Sequence, residues 1–407
     1  MYRGIQASSR TSAPRPWAQA VLKTLAICAA FAVGGCALFG GLRANAVAST
    51  AEPPANVAVY LSVRDGDEPI TDLSAGNFQL LENGQPLSST DTGLTLLQRD
   101  TVALHRVLLL VDISTAKDAG TRVQLSRGVA SFVDAVRKAQ AVTVMAFDGS
   151  AEPRLVAEYP QGAGDKLERV AALEPMAPKD PSRNLHGAVL HGIKHLDARL
   201  MSAKKPIRVG TLVIFTAGPD LAARVQREEA EEKIRNSPHH VLSIIVANEA
   251  TEPDLGELAK DGLVRAPSVQ MAGIGLDEAS RKVNALEQQY YLLSYCSPAR
   301  AGMRRLTIDV KRTTLEGDEQ NASAEVDFNA AGFGPGCDPA RIPRFASGTA
   351  PVSVEPPPGE EAPQQSATDP KAPPKDAPPK DTPPNGQDKA APPPDLPGYA
   401  PLPNKPK

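Results

Sequence analysis

The stretch HRVLLLVDISTAK, residues 105–117, decides the fold of this chain. Its apolar run from Val107 to Val111 does not alternate with polar residues, which is typical of a strand covered on both faces of a parallel sheet. The run ends abruptly at Asp112. In open parallel sheets the ligand site lies beyond the carboxyl ends of the strands, so we expect Asp112 to stand at such a place.

Three further apolar runs repeat this pattern, VTVMAFD (142–148), TLVIFTAG (211–218) and HVLSIIVAN (240–248). Between and after them lie stretches whose apolar residues recur three or four positions apart, as on one face of a helix. These residues are Leu125, Val129, Phe132 and Val136; Leu185, Val189, Ile193 and Leu196; and Leu276, Ala279, Val283 and Leu286. Strands alternating with helices predict an α/β fold over residues 104–290, a doubly wound and mostly parallel sheet with right-handed crossovers.

The two flanks of this region have a different pattern, in which apolar and polar residues alternate as in half-buried antiparallel strands. Residues 55–103 begin with alternating valines and leucines and contain Asn83-Gly84, a strong hairpin signal. Residues 291–345 contain RRLTIDVKR and ASAEVDF, which alternate in the same way. We expect the two flanks to pair with each other and build one small antiparallel β subdomain beside the α/β region.

The N-terminus has the features of an export signal over residues 1–35, with basic residues ahead of a small-residue apolar run. Cys36 in VGGC resembles the lipobox of bacterial lipoproteins, whose cysteine is acylated. Residues 24–42 could instead remain as an uncleaved anchor, or cleavage could follow Ala46 in ANA. All three alternatives predict an exported protein, and the first two predict membrane anchoring in the cell envelope, periplasm-facing or at the cell surface.

Residues 36–54 look like a linker, which would keep a lipidated domain within roughly 60 Å of the membrane. The other end of the chain is rich in proline, since 19 of its 39 prolines lie from Pro351 onward. We therefore expect residues 346–407 to form a disordered, solvated tail. The formal charge of −3 over 407 residues gives no basic surface for nucleic acid, and we expect no nucleic-acid partner.

Apart from Cys28 and Cys36 in the N-terminal export region, the chain has two cysteines, Cys296 and Cys337. An even pair in an exported protein is most simply a disulfide, and this one would staple the C-terminal β strands. A metal site is the weaker alternative, because neither cysteine has a Cys or His neighbour at ligand spacing.

The order of these motifs resembles a von Willebrand factor A domain. The matching stretches are VDIST, VTVMAFDGSAEPRL, SRNLHGAVLHGI and LVIFTAGPD, in that order along the chain. The flanks DGDEPITDLSAGNFQLLENGQP and YYLLSYCSPARAGMRRLTIDVKR resemble the bacterial subgroup of von Willebrand factor A-related proteins. The resemblance covers about residues 55–330 and implies a protein-binding domain.

That family binds a divalent cation through hydroxyl and carboxylate oxygens at the strand ends, the ligands that Mg²⁺ prefers. The resemblance implies that Asp112 and Ser114 occupy the first two ligand positions. The third position falls on Ala116, which has no oxygen ligand in its side chain. The final aspartate of the family falls on Ala217. We therefore expect a vestigial site that binds no Mg²⁺ and no other cofactor.

The family's threonine falls on Arg183, or on Ser182 if the loop shifts by one residue. Our hypothesis is that the Arg183 guanidinium pairs with Asp112, as a fixed internal cation in place of the metal. A simpler interpretation, compatible with this one, is that Asp112 and Ser114 only cap loop amides. Asp118 and Asp220 lie in nearby loops, but neither stands at the family spacing.

No nucleophile elbow, P-loop or dinucleotide-binding glycine motif occurs, and we expect a binding protein rather than an enzyme. An enzyme would have to recruit Asp112, Ser114 and a histidine. His191 and His195 have the i, i+4 spacing of zinc ligands, but their helix reads as a core element with solvated histidines. The sequence thus favours a metal-free protein-binding module in the cell envelope. The alternatives are a cation-dependent adhesion protein using the residual Asp112/Ser114 site, and a structural protein working through its Pro-rich tail.

Overall fold

The computed structural model describes residues 41–162, 164–246 and 255–346. The predicted export signal, Cys36 and the tail from residue 347 lie outside the described residues. Within the described ranges, no helix is long and apolar enough to cross a membrane.

The central element is a six-stranded sheet with the order β12-β11-β10-β7-β8-β9. All neighbouring pairs are parallel except β8 and the edge strand β9, which run antiparallel. The prediction of a doubly wound, mostly parallel sheet is confirmed. The strands are β7 (Ala103–Asp112), β8 (Ala141–Phe147), β9 (Arg154–Tyr159), β10 (Ile207–Thr216), β11 (His240–Val246) and β12 (Leu263–Ala266).

Helices cover both faces of this sheet. Since successive side chains of each strand point to opposite faces, neighbouring residues pack against different helices. In β7, Leu109 packs with α2 and α5 on one face, whereas Leu108 packs with α3 and α4 on the other. Helices α2 and α5 approach closely at two glycines, where a Cβ on Gly128 would meet the Gly273 Cα at 2.9 Å. The helices are α2 (Ala119–Val136), α3 (Leu185–Met201), α4 (Arg227–Arg235) and α5 (Ala272–Gln288).

The flanks form a small β subdomain of two antiparallel sheets, as the alternating patterns predict. One sheet has the order β1-β2-β13-β6 with β3 added to β2, and the other has the order β15-β14-β4-β5. The N-terminal flank contributes β1 (Leu42–Glu52), β2 (Asn56–Asp65), β3 (Glu68–Pro69), β4 (Phe78–Glu82), β5 (Gln85–Pro86), the short helix α1 (Ser89–Thr92) and β6 (Thr95–Leu97). The C-terminal flank contributes β13 (Tyr290–Cys296), β14 (Met303–Thr313) and β15 (Glu319–Asn329).

The predicted linker over residues 36–54 is wrong for residues 42–52, which form β1. Leu42, Ala44 and Ala46 are buried in the core between the two sheets, and β1 pairs with β2 along its length. The error has a physical cause. An edge strand made largely of alanine, serine and threonine buries little surface per residue. Its sequence is therefore hard to distinguish from the small-residue end of an export signal.

The β subdomain contacts the sheet at the amino ends of its strands. Ala103 at the start of β7 and Ile207 at the start of β10 share one apolar cluster with Tyr60, Leu292 and Phe345. Asp112, at the other end of β7, therefore lies on the side of the sheet away from the β subdomain. The predicted disulfide between Cys296 and Cys337 is present, with the Cα atoms 5.8 Å apart.

Candidate functional site

Asp112 ends β7 at the centre of the sheet and is completely buried. Its Oδ1 accepts a hydrogen bond from the Ser114 backbone N–H at 2.8 Å, and its Oδ2 accepts one from the Ala217 N–H at 2.9 Å. The Thr216 hydroxyl lies 3.4 Å from Oδ2. The predicted capping of loop amides by Asp112 therefore occurs. A buried charge is generally paired with an opposite charge as well as hydrogen-bonded, so a cation is expected nearby.

That cation is Arg183, in the loop that precedes α3. Arg183 is only 4% exposed, and its Nε donates to Asp112 Oδ2. Its Nη1 donates to the Pro219 carbonyl at 2.9 Å. Gly218 makes room for the group, since a Cβ there would lie 3.0 Å from Nη1. The structure thus brings together Asp112 and Arg183, the pair that the sequence hypothesis joined.

The backbone of Arg183 also organises the loop after β10. Its carbonyl accepts hydrogen bonds from the Leu221 and Ala222 N–H groups, both at 2.9 Å. Leu221 is 63% exposed on this loop. One residue therefore neutralises Asp112 with its side chain and fixes an exposed apolar residue with its main chain.

The position of Arg183 depends on a second buried carboxylate, Asp148, which follows β8. Asp148 accepts hydrogen bonds from the N–H groups of Ser150 and Lys179, both at 2.8 Å, and its carbonyl accepts one from the Asn184 N–H at 3.0 Å. Burial raises the pKa of Asp148, but the hydrogen bonds outweigh it and hold this pKa below its ordinary value. Sequence reasoning missed Asp148, although an aspartate directly after an apolar run is the same signal that singled out Asp112.

The remaining predicted positions have different roles. Ser114 and Ala116 are both buried, and among the described residues the Ser114 hydroxyl has no hydrogen-bond partner. Ser182 points elsewhere, because its hydroxyl donates to Asp180 at 2.7 Å. Arg183, rather than Ser182, therefore occupies the position beside Asp112.

The two neighbouring carboxylates serve as loop caps. Asp118 is the N-cap of α2 and accepts bonds from the Thr121 hydroxyl and N–H, which lower its pKa. Asp220 accepts bonds from the N–H groups of His186 at 2.9 Å and of Ala223 at 2.8 Å. Asp118 thus caps α2, and Asp220 joins the loop after β10 to the first turn of α3.

A divalent cation of the family type does not fit this set of side chains. Mg²⁺ prefers six oxygen ligands in octahedral array. Asp112 Oδ2 is paired with Arg183, Ala116 and Ala217 carry methyl groups, and Ser114 supplies one hydroxyl. A cation here would also face the guanidinium charge of Arg183 at close range.

The histidines do not gather at Asp112. His191 and His195 lie on α3, where His195 faces Glu158 at 3.7 Å. His239 shares a hydrogen bond of 2.8 Å with Asp197. In the described part of the chain, no group of three or more His, Cys, Asp or Glu side chains is arranged to hold a metal ion.

A buried polar network that sequence reasoning missed joins the α/β domain to the β subdomain. Tyr60 shares a hydrogen bond of 2.8 Å with His105, and its ring stacks on Tyr290 with the centroids 5.3 Å apart. Tyr290 contacts His240 at 2.7 Å, and His240 contacts Asp261 at 3.0 Å. Burial, reinforced by His240 and an arginine, lowers the pKa of His105 to about 3. These residues come from separate elements, so no local pattern predicts the network.

Comparison with solved structures gives several matches at low sequence identity. A von Willebrand factor type A protein from Catenulispora acidiphila matches over 72% of this chain and 73% of its own, with 8% identity and a TM-score of 0.37. Manganese-loaded TRAP protein from Plasmodium vivax matches over 57% of this chain and 96% of its own, with 11% identity and a TM-score of 0.34. The α/β domain has a von Willebrand factor A-like fold. Its strand order, its helices on both faces and Asp112 at the central strand end carry this assignment.

Proximal thread matrix protein 1 from the mussel byssus also matches, at 14% identity and a TM-score of 0.33. This chain covers 47% of that protein, about half of its length. The sequence itself matches no family profile and no curated protein. The similarity between this chain and the solved structures is therefore a similarity of fold.

Proposed function

We propose that this chain is an exported, membrane-anchored protein-binding module of the cell envelope, and that it binds its partner without a metal ion. The observation that carries this proposal is the buried pair of Arg183 and Asp112. Von Willebrand factor A domains generally mediate protein contacts, and the P. vivax relative is a manganese-loaded form. In this chain a guanidinium lies beside the carboxylate at the end of the central strand.

The loop face around this pair is the proposed binding surface. It lies at the carboxyl ends of the parallel strands, away from the β subdomain, and it presents Leu221 on a loop that Arg183 holds. Because Arg183 is buried and already paired, it offers no free cation to a partner's carboxylate. Contact at Leu221 is therefore apolar, and we expect partner binding to depend weakly on salt.

Export and anchoring are supported by the N-terminal sequence pattern and by the Cys296–Cys337 disulfide, which is typical of oxidising compartments. We propose a binding role rather than catalysis. Asp112, the best candidate for an acid or base, is buried and occupied by Arg183 and by backbone N–H groups.

Capture of the partner tests this function. The tagged protein, cross-linked in cells and purified from envelopes, should retain the same partner in EDTA and in Mg²⁺. Leu221→Asp should reduce capture at least tenfold, whereas Met303→Asp, at a residue 65% exposed on the β subdomain, should leave capture unchanged. Loss of the partner in EDTA would contradict metal independence, and equal capture by both variants would contradict the proposed surface.

A second candidate function is cation-dependent adhesion through the residual Asp112 and Ser114 positions. One observation favours it. The buried Ser114 hydroxyl finds no hydrogen-bond partner in the described part of the chain, and such a group is rare and costly unless a ligand satisfies it. Ser114→Ala distinguishes the two candidates. The metal-free account predicts unchanged partner capture, whereas cation-dependent adhesion predicts its loss.

A further inference from the structure

Strand β1 constrains where the exported chain is processed. The strand pairs with β2 from Leu42 opposite Asp65 to Glu52 opposite Asn56. Gly41 is held as well, because its carbonyl accepts a hydrogen bond from the Gly66 N–H at 3.2 Å. Gly41 and β1 are therefore hydrogen-bonded parts of the β subdomain.

Cleavage after Ala46 would remove the first half of this strand. Leu42, Ala44 and Ala46 are each at most 8% exposed and pack in the core between the two sheets. Their removal would uncover Leu61 and Val63 of β2, which are completely buried, and would leave the β2 edge without a partner. Exposed apolar surface and an open strand edge both favour aggregation.

We infer that the mature protein retains β1, that processing or anchoring takes place upstream of Gly41, and that the end of the β subdomain carrying Leu42 faces the membrane. This inference rests on the proposed export and anchoring. Four residues separate Cys36 from Gly41. A chain of this length reaches at most about 18 Å, so an acylated Cys36 holds Gly41 within that distance of the lipid. This distance from the lipid is far shorter than the roughly 60 Å that the predicted linker would allow.

Two turns share the membrane-facing end with Leu42. The β2–β3 turn follows Asp65, and Asp65 accepts a hydrogen bond from Gln320 at 2.7 Å, which places the β14–β15 turn beside it. Leu315 in the β14–β15 turn is fully exposed, at 101%. An apolar side chain at this end, within reach of a tethered bilayer, fits contact with the lipid interface. Leu221 lies on the loop face at the carboxyl ends of the parallel strands, away from the β subdomain.

The mature N-terminus is the first test. The full chain is expressed in a bacterium, and the envelope-fraction protein is digested and analysed by mass spectrometry. We expect peptides that contain residues 42–46, joined to an acylated Cys36 or to an intact N-terminus. An envelope protein that begins at Val47 would overturn the inference while leaving export intact. Unprocessed protein in the cytoplasm would overturn the proposed export and, with it, the inference.

A matched pair of variants tests whether β1 is integral to the mature protein. Ala44 points into the core, and its neighbour Asn45 is exposed. In the full chain, Ala44→Asp should lower the melting temperature by several degrees, and Asn45→Asp should leave it within one degree. Equal melting temperatures for the two variants would overturn the inference.

The orientation is tested with an environment-sensitive label on the anchored protein in phosphatidylethanolamine vesicles. We expect a label on Leu315→Cys to report an apolar environment when vesicles are present. Without vesicles or detergent, the same label should report water. A label on Leu221→Cys should report water in both conditions. Equal responses at the two positions would overturn the membrane-facing assignment.

Discussion

Removing the Arg183 side chain charge is the most informative perturbation of the site. Arg183→Met keeps the volume of the side chain but leaves Asp112 as an unpaired, completely buried carboxylate. Breaking a buried ion pair on one side costs about 3–5 kcal/mol. Asp112 would keep its bonds from the Ser114 and Ala217 N–H groups, so we expect a loss near the lower limit, about 3 kcal/mol. Urea unfolding followed by circular dichroism measures this loss.

A double-mutant cycle separates loss of the pair from loss of packing. Asp112→Asn in the Arg183→Met background removes the unpaired charge and should recover at least about 1 kcal/mol relative to the sum of the single losses. Arg281→Met is the control, because Arg281 is exposed on α5, and we expect less than about 0.5 kcal/mol there. A stability loss in Arg183→Met equal to that of the control would show that the ion pair does not stabilise the domain. Additive losses for Arg183→Met and Asp112→Asn would show the same.

Three further outcomes are expected. Gly218→Ala should destabilise the domain by about 1–2 kcal/mol in the same assay, since the new Cβ would crowd Arg183 at a backbone φ of +154°. Replacing Cys296 and Cys337 by serine opens a link across 41 residues and should cost about 4 kcal/mol by the loop-entropy relation, measured by urea unfolding of the oxidised and the variant proteins. The folded pKa of His105, about 3, lies below its unfolded value near 6.5, so stability is complete above pH 6.5 and falls as the pH drops toward 3. His105→Gln should remove up to about 1.4 kcal/mol per pH unit from that slope between pH 6 and 5.

The sequence predicted the parts of the fold that local patterns encode. The unbroken apolar run before Asp112 marked the central strand, and the alternating flanks marked the β subdomain. The resemblance also led to the hypothesis that Arg183 lies beside Asp112, because Asp112 ends a recognisable strand and Arg183 precedes a recognisable helix. Strand β1 was missed because its alanines bury too little area to distinguish a strand from the end of a signal.

Other features escaped because they depend on tertiary contacts. Whether Arg183 or Ser182 reached Asp112 was open in the sequence, and the loop geometry set by Asp148 decides it. The network of Tyr60, His105 and Tyr290 joins residues that are far apart along the chain, and no periodicity reports their approach.

The central proposal is that Arg183 supplies the cation beside Asp112, at the position where the resemblance to von Willebrand factor A domains implies a metal ion. Isothermal titration calorimetry of the full chain with Mg²⁺ and with Mn²⁺ tests it most directly. If Arg183 supplies the charge beside Asp112, neither ion should give saturable heat, in the wild type or in Asp112→Ala. Micromolar binding by the wild type that disappears in Asp112→Ala would contradict it.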